Sequence, residues 1–189
     1  MNSKRKIMLE GRVVTGRGMA KLHLKQEYKE FKNATGEDFF AGSMNVVLNK
    51  PVLLNESMGH SISTKRRLLW PGYINGSPVW LYRFSHAPLH ILELLSTQHL
   101  RTLHSLGDDS PITVSISEEY EVPLTIRQKI AWALIWKGRL TWSYHNDRYY
   151  FNSRQLAIEL GATQHHSETG IFRAFINFFK YIFNRLLSR

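Results

Sequence analysis

Three short stretches hold residue types that can do chemistry. The first is Gly16-Arg17-Gly18-Met19-Ala20-Lys21. Glycines let the main chain turn sharply and aim N–H groups at a phosphate, and the nearby cations add attraction. Gly11 and Gly16 have the spacing of half a Walker A motif, but Arg17-Gly18 follows where Lys and Ser/Thr are needed, which excludes a P-loop. Read alone, a structural turn is the commoner use of such glycines. The second stretch is Ala41-Gly42-Ser43-Met44-Asn45-Val46. Ser43 and Asn45 are two apart at the start of a strand, so both side chains face one way. They offer neutral oxygens of the kind Mg²⁺ accepts alongside water and substrate phosphates. The third is Ser85…Glu93, followed by Gln98-His99-Leu100-Arg101. Glu93 sits in the apolar run Leu89–Leu95 and is the only acidic residue between Glu56 and Asp108. An acid there must pair, face solvent or bind something, which makes it the leading candidate for a functional carboxylate.

Other chemistries have less support. The chain has no cysteine, so disulfide scaffolds, thiolate metal sites and cysteine nucleophiles are excluded. Among its nine histidines, His86 and His90 have i,i+4 spacing, but Pro88 between them disfavours one helix. His165-His166 lie in a polar linker, and a zinc site is disfavoured. Neither a Gly-x-Ser-x-Gly elbow nor a His-Glu-x-x-His motif occurs.

The 189 residues, 43% hydrophobic and 21% charged, fit one ordinary domain or a small domain with an extension. The net charge of +10 is uneven. Residues 1–67 hold 13 basic and 6 acidic side chains, residues 68–120 hold 2 and 5, and residues 121–189 hold 10 and 4. Such a chain prefers anionic partners: nucleotide phosphates, nucleic acid or anionic lipid. No apolar run approaches the roughly 20 residues of a transmembrane helix. The basic start, Met1–Lys6, leads into no apolar segment of a secretory signal, so a cytoplasmic location is expected.

The elements that must position these residues are mostly short strands. Strands are expected at 7–16, Lys21–Leu24, Asn45–Leu48, Leu68–Tyr73, Val79–Phe84 and Ile112–Ile116, with Asn75-Gly76 as a hairpin turn. Residues 26–35 permit a helix closed by Gly36, Leu89–Leu95 reads as helix start or buried strand, and Gln98–Ser105 reads as a short helix. Residues 52–67 read as loop with a basic cluster, Lys65-Arg66-Arg67. Together these predict a mainly β, α+β fold: a small β-barrel with short helices. A boundary near residue 120 separates it from a helix-rich extension.

In the extension, Thr125–Lys137 is a helix stopped by Gly138. Leu140–His145 and Arg148–Phe151 around Asn146-Asp147 read as a hairpin, and Ser153–Leu160 as a helix capped by Ser153. Helix, hairpin and helix over 121–166 resemble part of a winged-helix layout. Trp132, Trp136, Trp142 and Tyr149 in a basic region admit nucleic-acid binding, with core packing as the competing explanation. Residues 167–189 form a separate segment. Phe172, Phe175, Phe178, Phe179, Ile182, Phe183 and Leu186 follow helical spacing, and the only charges over 171–189 are basic. This suits an interfacial helix on an anionic membrane surface, which would place the protein at the inner membrane face, or a helix packed on the rest of the chain.

Taken in order, the motifs of residues 8–117 resemble the CTP-dependent riboflavin kinases best known from archaea. Gly11-Arg12-Val13-Val14-Thr15-Gly16-Arg17-Gly18 is similar to the family's opening strand and glycine turn, and Tyr28 and Phe31 to its tyrosine-containing helix. Ala41-Gly42-Ser43-Met44-Asn45 resembles its Pro-Gly-Thr-Leu-Asn, with a hydroxyl kept at Ser43. Ile74-Asn75-Gly76, then Ser85…Glu93-Leu94-Leu95…Leu100-Arg101, then Gly107-Asp108-Asp109 and Ile112–Ile116 complete the set. Residues 121–189 have no counterpart in the minimal family domain.

The resemblance implies a cradle-loop barrel that binds CTP, Mg²⁺ and riboflavin or a related alcohol, and makes FMN. On that basis Gly16, Arg17, Gly18, Met19, Ala20 and Lys21, with Gln98, His99, Leu100 and Arg101, would hold the nucleotide. Ser43 and Asn45 would take the metal positions. Ser85 and Glu93 would contact the acceptor, and Glu93 would orient or deprotonate its hydroxyl. The alternative is a non-catalytic regulatory module that binds a nucleotide or nucleic acid.

Overall fold

The computed structural model describes residues 5–62 and 67–165. The expected helix over 171–187, Lys65-Arg66 and the Met19 side chain lie outside the described residues. Two compact units are present. The first takes the chain to Ser85 and again over His90–Pro123; the second takes His86–Leu89 and the chain from Leu124 onward.

In chain order the elements are β1 (Lys6–Val14), α1 (Met19–Gln26), α2 (Tyr28–Thr35), β2 (Met44–Leu48), β3 (Leu53–Leu54), β4 (His60–Ile62), β5 (Arg67–Ile74), β6 (Ser77–Phe84), β7 (Ile91–Leu95), α3 (Leu100–Leu103), β8 (Pro111–Ser117), β9 (Glu121–Val122), α4 (Ile126–Ile135), α5 (Leu140–His145) and α6 (Asp147–Glu159). The first unit is a closed six-stranded antiparallel barrel. Its wall runs β5-β6-β7-β2-β1-β8, and β8 returns to pair with β5. Period-two alternation explains the inside: Leu9, Val13, Val46, Leu48, Leu81, Leu92, Ile112, Val114 and Ile116 point inward and form one cluster with Trp70. The Trp70 indole N–H donates to the Asn55 carbonyl at 2.8 Å, so its one polar group is satisfied.

Strand β5 holds the closure. It pairs with β4 through Arg67–Leu69 and with β8 through Tyr73–Ile74. Pro71, which has no N–H to leave unpaired, falls in the gap between those two neighbours. The expected hairpin follows, with Asn75 at φ 47° and Gly76 at φ 81°. Where β1 is paired with both β2 and β8, a Cβ on Gly11 would lie 2.6 Å from the Val47 carbonyl oxygen and 2.9 Å from Val46 Cγ1. The first of these is backbone and cannot swing away. Gly11→Ala is therefore expected to cost about 1–3 kcal/mol, read as a lower urea midpoint with unchanged slope.

The expected strand at Lys21–Leu24 is instead part of α1. The Lys-Leu-His-Leu alternation also fits a helix, because Ala20, Leu24, Glu27 and Phe31 are the buried residues of the α1–α2 stretch. Leu24 and Phe31 pack on the outer surface of the barrel against Ile62, Leu69, Tyr82 and Leu95. Gly36, at φ 76°, closes α2 as expected. Leu89–Leu95 resolves as a strand beginning at Ile91, and Gln98–Ser105 contracts to the single turn of α3. The loop expected over 52–67 contains β3, a 3-10 turn at Glu56–Met58 and β4.

In the second unit α4 starts at a full capping box made by Thr125 and Gln128. The hairpin expected around Asn146-Asp147 is absent: its two arms are α5 and the first turns of α6. Asn-Asp suits a helix start as well as a turn, and here the Asn146 side-chain Oδ1 accepts from the Tyr149 N–H at 2.9 Å. Ser153 is therefore no cap; it is buried in mid-helix. Without the hairpin the winged-helix likeness fails. Trp132 and Trp136 are core residues, while Trp142 is exposed. Among the described residues no helix is long and apolar enough to cross a membrane.

Candidate functional site

Register on the barrel wall aligns Val14, Asn45, Glu93, Tyr82 and Leu69 across five successive strands. Their neighbours Val13, Val46, Leu92, Leu94 and Leu81 point into the core, so this row faces outward. Asn45 and Glu93 are direct cross-strand partners. Ser43, one residue before β2 and two before Asn45, lies on the same side. Its hydroxyl donates to Glu93 Oε2 at 3.0 Å, and Asn45 Nδ2 donates to Ser43 Oγ at 3.4 Å. Glu93 is partly buried, and that burial pushes its carboxyl up to about 7, against the pull of the Ser43 hydroxyl. A carboxyl poised there exchanges a proton readily at neutral pH.

The glycine loop meets this trio. A Cβ on Gly16 would lie 2.3 Å from Asn45 Nδ2, so any larger residue there would force the Asn45 amide to shift. Two residues on, Gly18 adopts φ 76° and begins α1 with no side-chain cap. The first amide N–H groups of α1, on Met19, Ala20 and Lys21, are backbone donors of the kind that hold phosphates at helix starts. Arg101 braces the loop from behind: Nη2 donates to the Val14 carbonyl at 2.7 Å and to Asp108 Oδ1 at 2.8 Å. Thr15 Oγ1 reaches the other Asp108 oxygen at 2.5 Å.

Two clefts flank the segment that leads into β2. One, of about 160 Å³, is lined by Phe40, Gly42, Ser43, Gln98, His99 and Arg101 among others. The other, of about 300 Å³ and mostly apolar, includes Lys21, Lys25, Tyr28, Phe31, Phe39 and Ala41. Gln98, His99, Leu100 and Arg101 thus reach the same cleft as Ser43, although Leu100 commits its side chain to the barrel core. No protein-family model and no curated protein matches this chain. The function must be read from these residues themselves.

Ser85 stands apart. It follows the end of β6, three residues beyond Tyr82, the cross-strand partner of Glu93, and lines neither cleft. Sequence reasoning missed Tyr82 itself, whose hydroxyl is 3.1 Å from His23 Nδ1 and is pushed up by burial. It also missed the ion pair of Glu27 and Arg67 under the α1–α2 junction. Alternation along β6 puts Trp80 and Tyr82 on the outward face, and only knowledge of the β6–β7 register would have placed Tyr82 beside Glu93.

The donor set fits a hard cation. The Ser43 hydroxyl stands beside the Glu93 carboxylate, the Asn45 amide turns its nitrogen to Ser43 and would have to rotate to offer Oδ1, and the described residues contain no cluster of three His, Cys, Asp or Glu able to hold a metal alone. A cation held here would need its remaining ligands from water and phosphate, as Mg²⁺ usually does.

Proposed function

We propose that the protein is a phosphotransferase that moves the γ-phosphoryl group of CTP to a hydroxyl of riboflavin or a related alcohol, giving FMN or its counterpart. One observation carries this reading: Gly16, the Ser43–Asn45 pair and Glu93, three places far apart in sequence, meet where the glycine loop adjoins the clefted outer wall. Uncapped N–H groups at Met19–Lys21 and the Arg17 and Lys21 side chains suit the phosphates. Gln98–Arg101 border the nucleotide side, and the larger apolar cleft suits the acceptor. Ser43 and Asn45 would hold a Mg²⁺ ion, which would offset the negative charge of the nucleotide phosphates.

The acceptor hydroxyl oxygen bonds to the γ-phosphorus as the bond from that phosphorus to the β–γ bridging oxygen breaks. CDP leaves with the electron pair, and the hydroxyl proton passes to the Glu93 carboxylate. The chain supplies position and charge more than covalent chemistry. A diffusible nucleotide and acceptor suit a reaction in the cytoplasm.

The test is FMN formation from riboflavin with Mg²⁺ and each of CTP, ATP, GTP and UTP. Product with a CTP preference supports the reading. Nucleotide binding without product moves the acceptor to another alcohol, and neither binding nor product leaves a non-catalytic module. Asn45→Ala is expected to raise the Mg²⁺ concentration for half-maximal rate by about tenfold or more, in a magnesium titration at saturating nucleotide.

A further inference from the structure

We propose that the outward face of α4 docks on an anionic membrane surface. This rests on the second unit alone and is independent of the reaction proposed for the barrel. Ile126, Ile130 and Leu134 recur every fourth residue, forming one stripe, and are 77%, 54% and 55% exposed. The opposite face is fully employed, with Ala131, Trp132 and Ile135 buried. Three branched aliphatic side chains held in water on one short helix mark a contact surface.

Charge selects the partner. From Thr125 to Gly138 the chain carries Arg127, Lys129 and Lys137 and no acid. Over residues 124–165 there are six basic and two acidic side chains. A symmetric contact with a second copy would set these cations against themselves. Nucleic acid would use the cations but has no place for an aliphatic stripe, since it is gripped by cations and stacking rings. An apolar face flanked by cations on a helix lying flat is what anionic lipid recognises. Contact through α4 alone is weak and reversible.

The full-length protein is mixed with vesicles of phosphatidylcholine, with and without phosphatidylglycerol, and the pelleted fraction is followed against lipid concentration. The expected result is binding to the anionic vesicles only, weakened by salt. Ile130→Ser with Leu134→Ser is expected to lose at least about tenfold in partition with an unchanged melting temperature, because both side chains are exposed. Ile126→Ser, at the most exposed position, repeats the test should the double variant misfold. Failure of the wild-type protein to bind anionic vesicles overturns the proposal, whether or not it binds RNA. So does equal binding by wild type and variants, which leaves residues 171–189 as the whole anchor. Conversion of a wild-type dimer into a monomer by the same substitutions overturns it too, assigning the face to a second copy.

Discussion

Glu93→Gln is expected to lower FMN formation by about 10²–10⁴-fold while the barrel stays folded. Glutamine keeps the size of the side chain and an oxygen for the Ser43 hydroxyl, so the loss reports proton acceptance. A pH profile separates the two roles. With burial holding the Glu93 carboxyl near 7, the wild-type kcat/KM should rise through about pH 7 and level off, and the residual rate of the variant should not follow that curve. Stability moves the opposite way. The folded pKa of about 7 lies above the ordinary 4.5, so between those values the folded chain binds more protons than the unfolded one. Stability therefore falls as pH rises from about 4.5 to 7, by no more than about 3 kcal/mol, and Glu93→Gln should lack that slope in urea melts. A wild-type rate in the variant would dismiss Glu93 as the base.

The second large effect is structural. Arg83→Ala is expected to lower the unfolding free energy by about 3–5 kcal/mol, measured by denaturant unfolding at neutral pH. Arg83 is 1% exposed at the end of β6, where its Nε donates to the Ile91 carbonyl at 2.9 Å and its Nη1 to the Val52 carbonyl at 2.6 Å. Burial pushes the guanidinium down to about 9, and its charge joins burial in holding His90 down at about 3. Alanine leaves a void and strands two buried carbonyls. Arg83→Met fills most of the volume but restores neither hydrogen bond, so it should fall between alanine and wild type. Equal stability of all three would mean that water replaces the guanidinium without cost.

What could be read beforehand follows from the range of the signal. Period-two alternation at Ile112–Ile116 and Asn75-Gly76 between apolar runs fixed strands and a turn locally, and both stand. Signals with two uses failed. Asn146-Asp147 serves a tight turn and a helix start alike, and Lys21–Leu24 alternates while also presenting one helical face. The choice between these uses is made by tertiary burial. The site divides in the same way. Ser43 and Asn45 are two residues apart, so their shared orientation was local. Gly16 against Asn45, and Tyr82 beside Glu93, depend on strand order and register that the chain encodes only through its whole core. Arg83 was invisible for a related reason: nothing near it in sequence announces two carbonyls awaiting donors.

The return of β8 to both β1 and β5 also sets a timetable for synthesis. Lys6 pairs with Ser117 at one end of β1, and the β5–β8 seam completes the ring. At ribosomal speeds of about 5–20 residues per second, β1 waits roughly 5–20 s for its second neighbour to emerge. From the emergence of β5 until that of β8 the nascent chain presents two strand edges awaiting β8, one on β1 and one on β5, either able to recruit another chain. Stalled or truncated products that end between Ile74 and Pro111 keep both edges open and are expected to aggregate more readily than the finished barrel.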